Sequence, residues 1–98
     1  MPFKPREIGN MLEKKLGMTS SNADHIWYEL QFSNLPPIRT KLPNHKDDIG
    51  PELESKICNQ LRVRKVFFHG LMECTKYRAD YEKQIQEDPF PPFSVLLV

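Results

Sequence analysis

His25 stands out chemically in this chain because it enters a strand-like segment close to a tryptophan and several cations. A neutral imidazole near pH 7 is a competent general base. Deprotonating a ribose 2′-hydroxyl toward its adjacent phosphate needs such a base, together with cations that stabilise the developing charge. Arg39, Lys41 and Lys46 could supply those cations, and Trp27 could offer a stacking surface for an unpaired base.

A plainer interpretation of the same residues competes with the catalytic one. The exposed face of an antiparallel sheet commonly carries polar side chains such as His, Glu, Lys and Arg, and the pattern alone favours this interpretation. The serines lack a GxSxG context, and His25, His45 and His69 lack HxH or HExxH spacing. We therefore predict no metal or cofactor, and a structural role for His69.

Composition indicates one soluble domain with a single modest core. The chain has 98 residues, of which 39% are hydrophobic and 28% charged, and it has no apolar run long enough to cross a bilayer. Its start, MPFKPREI, has no apolar segment of a secretory signal. The net charge of +1 counts mildly against nucleic-acid binding, unless the positive charge is concentrated locally.

The cysteines point to a reducing compartment. Cys58 and Cys74 lie in predicted helices without a CxxC partner, so we expect both to be reduced and mostly buried. The cytoplasm is the default compartment for such a protein.

Residues 24–46 predict a β-hairpin that carries the candidate chemical groups. Apolar residues alternate with polar ones along both halves, at Ile26, Tyr28, Leu30, Phe32 and then Ile38, Thr40, Leu42. The SNLPP segment between them reads as the turn, since proline cannot sit in a central strand.

Cross-strand chemistry suggests a register for this hairpin. Pairing Phe32 with Ile38 sets Glu29 opposite Lys41 and His25 roughly opposite His45. The same register sets Leu30 opposite Thr40 and Tyr28 opposite Leu42. The face turned away from the core would then carry five candidate side chains: His25, Trp27, Arg39, Lys41 and His45.

Apolar residues with helical spacing lie before and after the hairpin in the sequence. A first helix is predicted over residues 5–16 with Gly17 as its stop, and another over Pro51–Leu61 with Gly50 at its cap. A third is predicted over residues 64–74. Thr75 suits the N-cap of a fourth, with Tyr77, Tyr81 and Ile85 on one stripe and Pro89 after it.

Two segments leave alternatives open. Residues 18–22 read either as a loop or as a short edge strand beside the hairpin. The final segment, DPFPPFSVLLV, reads as an extended tail whose apolar end is either tucked against the body or used for interaction, including weak self-association.

The order of these segments resembles a known family. KPREIGNMLEKKLGM, then DHIWYEL, then IRTKLPNHKDDIGPELESKICNQL is similar to the HicA toxins of toxin–antitoxin systems, over residues 4–61. The resemblance implies an α+β fold of the double-stranded-RNA-binding-domain type, α-β-β-β-α, with a three-stranded antiparallel sheet packed on two helices. It also favours a strand at residues 18–22.

The same resemblance implies a function. HicA toxins cleave mRNA with one essential histidine at the start of the second strand, which matches His25, and a HicB-like antitoxin is the implied partner. The expected RNA contacts are those of the hairpin and the first helix: Trp27, Arg39, Lys41, His45, Lys46, Lys4 and Arg6. The alternatives are a non-catalytic RNA-binding module and a protein-interaction domain.

The resemblance also divides the chain. Residues 1–62 would form the HicA-like core, residues 63–88 a C-terminal helical extension and residues 89–98 a proline-rich apolar tail, within one structural domain overall.

Overall fold

A three-stranded antiparallel sheet and the helices on one of its sides make up the fold of this α+β protein. The computed structural model describes residues 3–22, 25–43 and 47–94, with the side chain of Asn22 excepted. The sheet has the order β1-β2-β3 and consists of β1 (Thr19–Asn22), β2 (Ile26–Leu30) and β3 (Ile38–Leu42). The helices are α1 (Pro5–Asn10), α2 (Pro51–Leu61), α3 (Lys65–Met72) and α4 (Arg78–Glu87), and a π-helical turn, Met11–Lys15, continues α1.

Helix starts and stops follow the residues that sequence patterns indicate. Pro5 is the first residue of α1, where its missing N–H is not needed, and the Glu7 carboxylate accepts the backbone N–H of Lys4 at 2.9 Å. Gly17, with φ of +73°, turns the chain out of the helical segment. Gly50 caps α2, which has the predicted bounds. The segment after Gly17 forms the edge strand β1, which confirms a strand among residues 18–22.

The predicted hairpin register was wrong by two residues. Leu30 pairs with Ile38 and Tyr28 with Thr40, rather than Phe32 with Ile38 and Leu30 with Thr40. Phe32 leaves the ladder because it is buried in the core, with its ring 6.3 Å from that of Tyr81.

The longer loop that results is held by the side chain of Gln31. The Gln31 amide donates hydrogen bonds to the carbonyls of Phe32 and Leu35, at 2.8 and 2.6 Å. A shift of two residues keeps every side chain on its predicted face, because side chains alternate with a period of two. The prediction therefore paired the wrong residues across β2 and β3 but assigned each side chain to the correct side of the sheet.

The core lies on the inward side of the sheet, the side that carries Tyr28, Thr40 and Leu42. Helix α1 approaches this side closely at Gly9, which lies against the Tyr28 hydroxyl and the Leu42 side chain. Helix α2 packs along β3, and the Thr40 hydroxyl donates a hydrogen bond to the Gln60 side chain at 2.6 Å.

The two C-terminal helices complete the same core. Phe68 and Tyr81 are both 0% exposed, and the Tyr81 hydroxyl donates a hydrogen bond to the Leu61 carbonyl at 2.9 Å. Residues 63–88, predicted to be an extension of the fold, therefore share one hydrophobic cluster with the sheet and the first two helices.

The connection between α3 and α4 differs from the prediction. Thr75 does not cap a helix; its hydroxyl donates to the Gly70 carbonyl, and Tyr77 is the N-cap of α4. Tyr77 is consequently 54% exposed rather than part of the buried stripe. Cys74 adopts a φ of +64° in this turn and is exposed, so the expectation of two buried cysteines holds for Cys58 alone.

The start of the tail is tied to the body by Arg62. The backbone N–H of Phe90 donates to the Arg62 carbonyl at 2.9 Å, and the Arg62 guanidinium lies 4.7 Å from the centre of the Phe93 ring. Residues 95–98, the apolar end, lie outside the described residues. Within residues 3–22, 25–43 and 47–94, no helix has the length and apolar character needed to cross a membrane.

Candidate nucleic-acid interface

The outward side of the sheet carries two cross-strand rows of polar and aromatic side chains. Antiparallel partners point to the same side, so the register sets the members of each row side by side. The rows are Thr19–Glu29–Arg39 and Ser21–Trp27–Lys41. We call this surface the outward face.

Trp27 is the centre of the outward face and is flanked by both cations that the hairpin prediction placed there. The Arg39 guanidinium carbon lies 4.9 Å from the centre of the Trp27 ring, and the Lys41 ammonium lies 5.6 Å from it. The indole is partly exposed. These separations are typical of cation–π contacts, which hold the two cations beside the ring.

The carboxylate of Glu29 shares this surface. Glu29 lies 3.5 Å from the Arg39 side chain, and both groups are more than half exposed. Such surface ion pairs are weak and screened by salt, so a phosphate can compete for Arg39. Lys41 has no carboxylate partner within the described part of the chain, and it leaves the face with an excess of positive charge.

His25 lies directly before β2, and its side chain is exposed. Only Ile26 separates His25 from Trp27 in the sequence, so His25 adjoins the end of the outward face. Its ring has no hydrogen-bond partner among residues 3–22, 25–43 and 47–94. Asp24 before it, and the candidate residues His45 and Lys46, lie outside the described residues.

The two candidate cations of the first helix lie apart from the outward face. Lys4 donates a hydrogen bond to the Asp48 carboxylate at 3.0 Å, and this contact raises the pKa of Lys4. Arg6 lies on α1, which packs against the inward side of the sheet. The structure thus brings together Trp27, Arg39 and Lys41, but places Lys4 and Arg6 on a different surface.

A second histidine, His69, has a carboxylate partner, which His25 does not have among the residues that the structure describes. Its Nε2 lies 3.0 Å from Glu54, whose side chain is only 14% exposed, and the Lys65 ammonium lies 3.8 Å from the same carboxylate. The His69 ring also meets the edge of Phe3, with ring centres 5.3 Å apart. These contacts join α3 to α2, which agrees with the structural role predicted for His69.

Sequence reasoning missed Glu54 as the partner of His69. The spacing of Lys65 and His69, four residues apart on one helix, is a signal that both face the same neighbour. Nothing in the sequence says that the neighbour is the first turn of α2.

Cys58 is not an activated nucleophile. Burial, with a smaller contribution from the Glu54 carboxylate, raises the pKa of the Cys58 thiol to about 12, so it stays protonated at neutral pH. Cys74 is exposed in a turn. No group of three or more metal-ligating side chains is present among the residues that the structure describes.

Comparison with known proteins adds no assignment. No family model matches the chain, and neither a curated protein nor a solved structure does.

Proposed function

We propose that this protein binds single-stranded or unpaired RNA on the outward face and cleaves it with His25 as the general base. The observation that carries the proposal is the partly exposed Trp27 ring between Arg39 and Lys41. An aromatic ring accepts a stacked base, and adjacent cations accept the phosphates on either side of that base.

The charge of the face supports RNA rather than a neutral ligand. Lys41 is free of a carboxylate within the described ranges, and the exposed pair between Arg39 and Glu29 exchanges readily for a phosphate contact. Phosphate contacts of this kind supply much of the affinity of nucleic-acid-binding proteins. A chain with a net charge of +1 can bind RNA in this way because its positive charge is local.

In the proposed cleavage step, the His25 imidazole removes the proton of a ribose 2′-hydroxyl. The 2′-oxygen attacks the adjacent phosphorus and the bond to the 5′-oxygen breaks, which yields a 2′,3′-cyclic phosphate and a 5′-hydroxyl end. Arg39 and Lys41 stabilise the negative charge that develops on the phosphate. His45 is the candidate that returns a proton to the leaving 5′-oxygen.

The resemblance to HicA toxins supplies the biological setting of this proposal. The substrate would be mRNA in the cytoplasm, and a HicB-like antitoxin would cover the outward face and His25. The α-β-β-β-α order of the first five elements is consistent with that resemblance.

Binding is tested by replacing Trp27 with Ala and measuring the affinity for a fluorescent single-stranded RNA. Loss of one stacked base should weaken binding about 5- to 150-fold, since such stacking is worth about 1–3 kcal/mol. Lys56→Gln is the matched surface control, because Lys56 is exposed on α2, which packs against the inward side of the sheet. Equal affinities of the wild type and Trp27→Ala would remove the outward face as the binding surface.

Cleavage is tested by comparing His25→Ala with His69→Ala on the same mRNA. His25→Ala should bind RNA with unchanged affinity but leave it intact, whereas His69→Ala should still produce 2′,3′-cyclic phosphate ends. Cleavage by His25→Ala at the wild-type rate would refute the mechanism. Loss of cleavage in His69→Ala alone would move the general base to the Glu54–His69 pair.

A second candidate function is a non-catalytic RNA-binding module. The observation that favours it is the absence of a hydrogen-bond partner for the His25 ring within the described residues, since general bases are usually oriented by a neighbour. Salt-sensitive RNA binding by the wild type, with no product after long incubation, would select this candidate.

A further inference from the structure

The connection between α3 and α4 presents an exposed aromatic ring with positive charge around it. Tyr77, the N-cap of α4, is 54% exposed. Its chain neighbours, Lys76 and Arg78, are exposed cations, and the Lys15 ammonium lies 4.8 Å from the centre of the Tyr77 ring. We call these four residues the tyrosine cluster.

Uncharged groups hold two of the cations in place. The Lys15 ammonium donates a hydrogen bond to the Leu71 carbonyl at 2.6 Å, and the Arg78 guanidinium donates one to the Leu16 carbonyl. A carbonyl oxygen fixes the position of a cation without cancelling its charge. A guanidinium has five N–H donors, so Arg78 retains donors for a further partner.

The positive charge of the tyrosine cluster is not neutralised by ion pairs. Among residues 3–22, 25–43 and 47–94, no carboxylate forms a salt bridge with its three cations. Two acidic residues flank Tyr77 in the sequence. Glu73 is exposed at the C-cap of α3, and the Asp80 carboxylate accepts the backbone N–H of Tyr77 at 2.9 Å. The cations therefore remain available to a phosphate.

Two glycines make room for two of the cations. A side chain at Gly17 would collide with the Arg78 guanidinium, and a side chain at Gly70 would collide with the stem of Lys76. Gly70 lies inside α3, where glycine is among the least favourable residues. Lys76 folds back over this helix, and its ammonium lies 5.8 Å from the centre of the Phe67 ring. The fold thus sets the positions of both cations.

The tyrosine cluster repeats the arrangement of the outward face. There, the Trp27 ring is partly exposed and has Arg39 and Lys41 beside it. In both places an aromatic ring that solvent reaches lies next to cations. This combination binds unpaired nucleotides, because every base has a face that stacks and every nucleotide carries a phosphate.

The tyrosine cluster adjoins the end of the sheet opposite His25. The Arg78 guanidinium contacts Leu16, which precedes β1, and lies 5.9 Å from the centre of the ring of Phe32, which follows β2. The start of β1 pairs with the end of β2, whereas His25 precedes β2. An RNA that runs along β2 away from His25 therefore runs toward this cluster.

We propose that the tyrosine cluster is a second contact surface for the RNA of the outward face. A base stacks on the side of the Tyr77 ring away from Lys15, and Lys76 and Arg78 bind the adjacent phosphates. The exposed ring favours RNA over an acidic protein segment, whose carboxylates need the cations alone. This inference rests on the proposed RNA binding and extends the RNA beyond the outward face.

Stacking is tested with Tyr77→Ser and a fluorescent single-stranded RNA of about 12 nucleotides, within the range of site sizes known for such proteins. Serine is a favourable N-cap, so α4 keeps its start while the ring is lost. Binding should weaken about 5- to 150-fold, as loss of one stacked base predicts. Tyr77→Phe keeps the ring and should bind as the wild type does.

The phosphate contact is tested with Lys76→Gln by measuring the affinity for the same RNA at several salt concentrations. The slope of log affinity against log salt should fall by about 0.7, as expected for one lost phosphate contact to single-stranded RNA. Lys83→Gln is the matched control, because Lys83 is an exposed lysine of α4 outside the cluster and the charge change is the same. Its slope should equal that of the wild type.

The inference requires both effects. Equal RNA affinities of the wild type and Tyr77→Ser overturn it. Equal falls in slope for Lys76→Gln and Lys83→Gln also overturn it, since they would indicate attraction by overall charge. A polyglutamate peptide serves as the second probe. If the peptide binds in a Lys76-dependent manner while RNA affinity is indifferent to Lys76 and Tyr77, the surface binds acidic protein segments and the inference is wrong.

The two proposals can fail separately. If Trp27→Ala leaves RNA affinity unchanged while Tyr77→Ser and Lys76→Gln weaken it, RNA binding on the outward face is wrong and the tyrosine cluster stands. If Trp27→Ala weakens RNA binding while Tyr77→Ser and Lys76→Gln bind as the wild type does, the outward face stands and the cluster is wrong.

Discussion

Alternate residues of β2 and β3 meet two different environments, and the contrast separates stability from function in this protein. On the inward side, Tyr28, Thr40 and Leu42 are buried beneath α1 and α2. On the outward face, Trp27 and Lys41 meet solvent and one another. The same backbone therefore carries both sets of side chains, one position apart.

The difference indicates what each side can be used for. An inward side chain is held by its neighbours and cannot be changed without a cavity or an unpaired polar group. Changing an outward side chain costs the protein little stability, so the residue type at such a position can be suited to binding a ligand instead. The inward side is not fully covered at one place, a cleft of about 210 Å³ that is lined by residues of α1 and by Tyr28 and Leu42.

The largest expected effect comes from adjacent residues on opposite sides of β3. Leu42→Ala removes a buried side chain and should lower the free energy of unfolding by about 2–5 kcal/mol. Lys41→Ala should change it by less than about 0.5 kcal/mol. Urea unfolding followed by tryptophan fluorescence measures both. Similar losses for the two variants would mean that the outward face is also covered.

Two threonines provide a finer comparison. The Thr40 hydroxyl, which is buried, donates to Gln60 at 2.6 Å, whereas the exposed Thr19 hydroxyl donates to the Glu29 carbonyl at 3.2 Å. Thr40→Val should destabilise the protein by about 1–3 kcal/mol, because it leaves the Gln60 side chain without its partner. Thr19→Val should cost less, since water replaces its hydroxyl. Calorimetric unfolding of the two variants tests this order.

The smallest effect on stability, with an opposite effect on binding, is expected at the ion pair of the outward face. Glu29→Gln should change the unfolding free energy by less than about 0.5 kcal/mol, as exposed pairs contribute little. It should strengthen RNA binding at low salt, because Arg39 is then fully available for phosphate. Arg39→Gln should weaken binding and lower the slope of log affinity against log salt by about 0.7 for single-stranded RNA. Identical salt slopes for the wild type and Arg39→Gln would argue against a phosphate contact at Arg39.

Local sequence signals predicted helix ends correctly where a residue type has one strongly preferred position, as proline and glycine have. Proline at the first helical position and glycine before it gave α2 its predicted bounds, and Gly17 marks the end of the first helical segment. The prediction of Thr75 as the N-cap of α4 was wrong. Several residues near a turn can cap a helix, and the choice of Tyr77 depends on how α4 packs. The predicted register of the hairpin was wrong because a phenylalanine such as Phe32 suits both a strand and a buried loop.

Face membership on the sheet was predictable, whereas contact across the fold was not. The alternation of side chains assigns Trp27, Arg39 and Lys41 to one side in both the predicted and the observed register, because the two registers differ by an even number of residues. The same pattern cannot place α1, so it did not reveal that Arg6 lies on another surface or that Tyr28 faces Glu13. The partnership of Glu54 with His69 also depends on how two helices pack.

The sequence by itself determined the order of the elements and which side chains point away from the core, because both follow from local sterics and from the alternation of apolar and polar residues. Tertiary structure decided the strand register, the union of residues 63–88 with the sheet in one core, and the cleft beneath α1. These features depend on close packing between residues distant in the chain, and such packing has no periodic signature in the sequence.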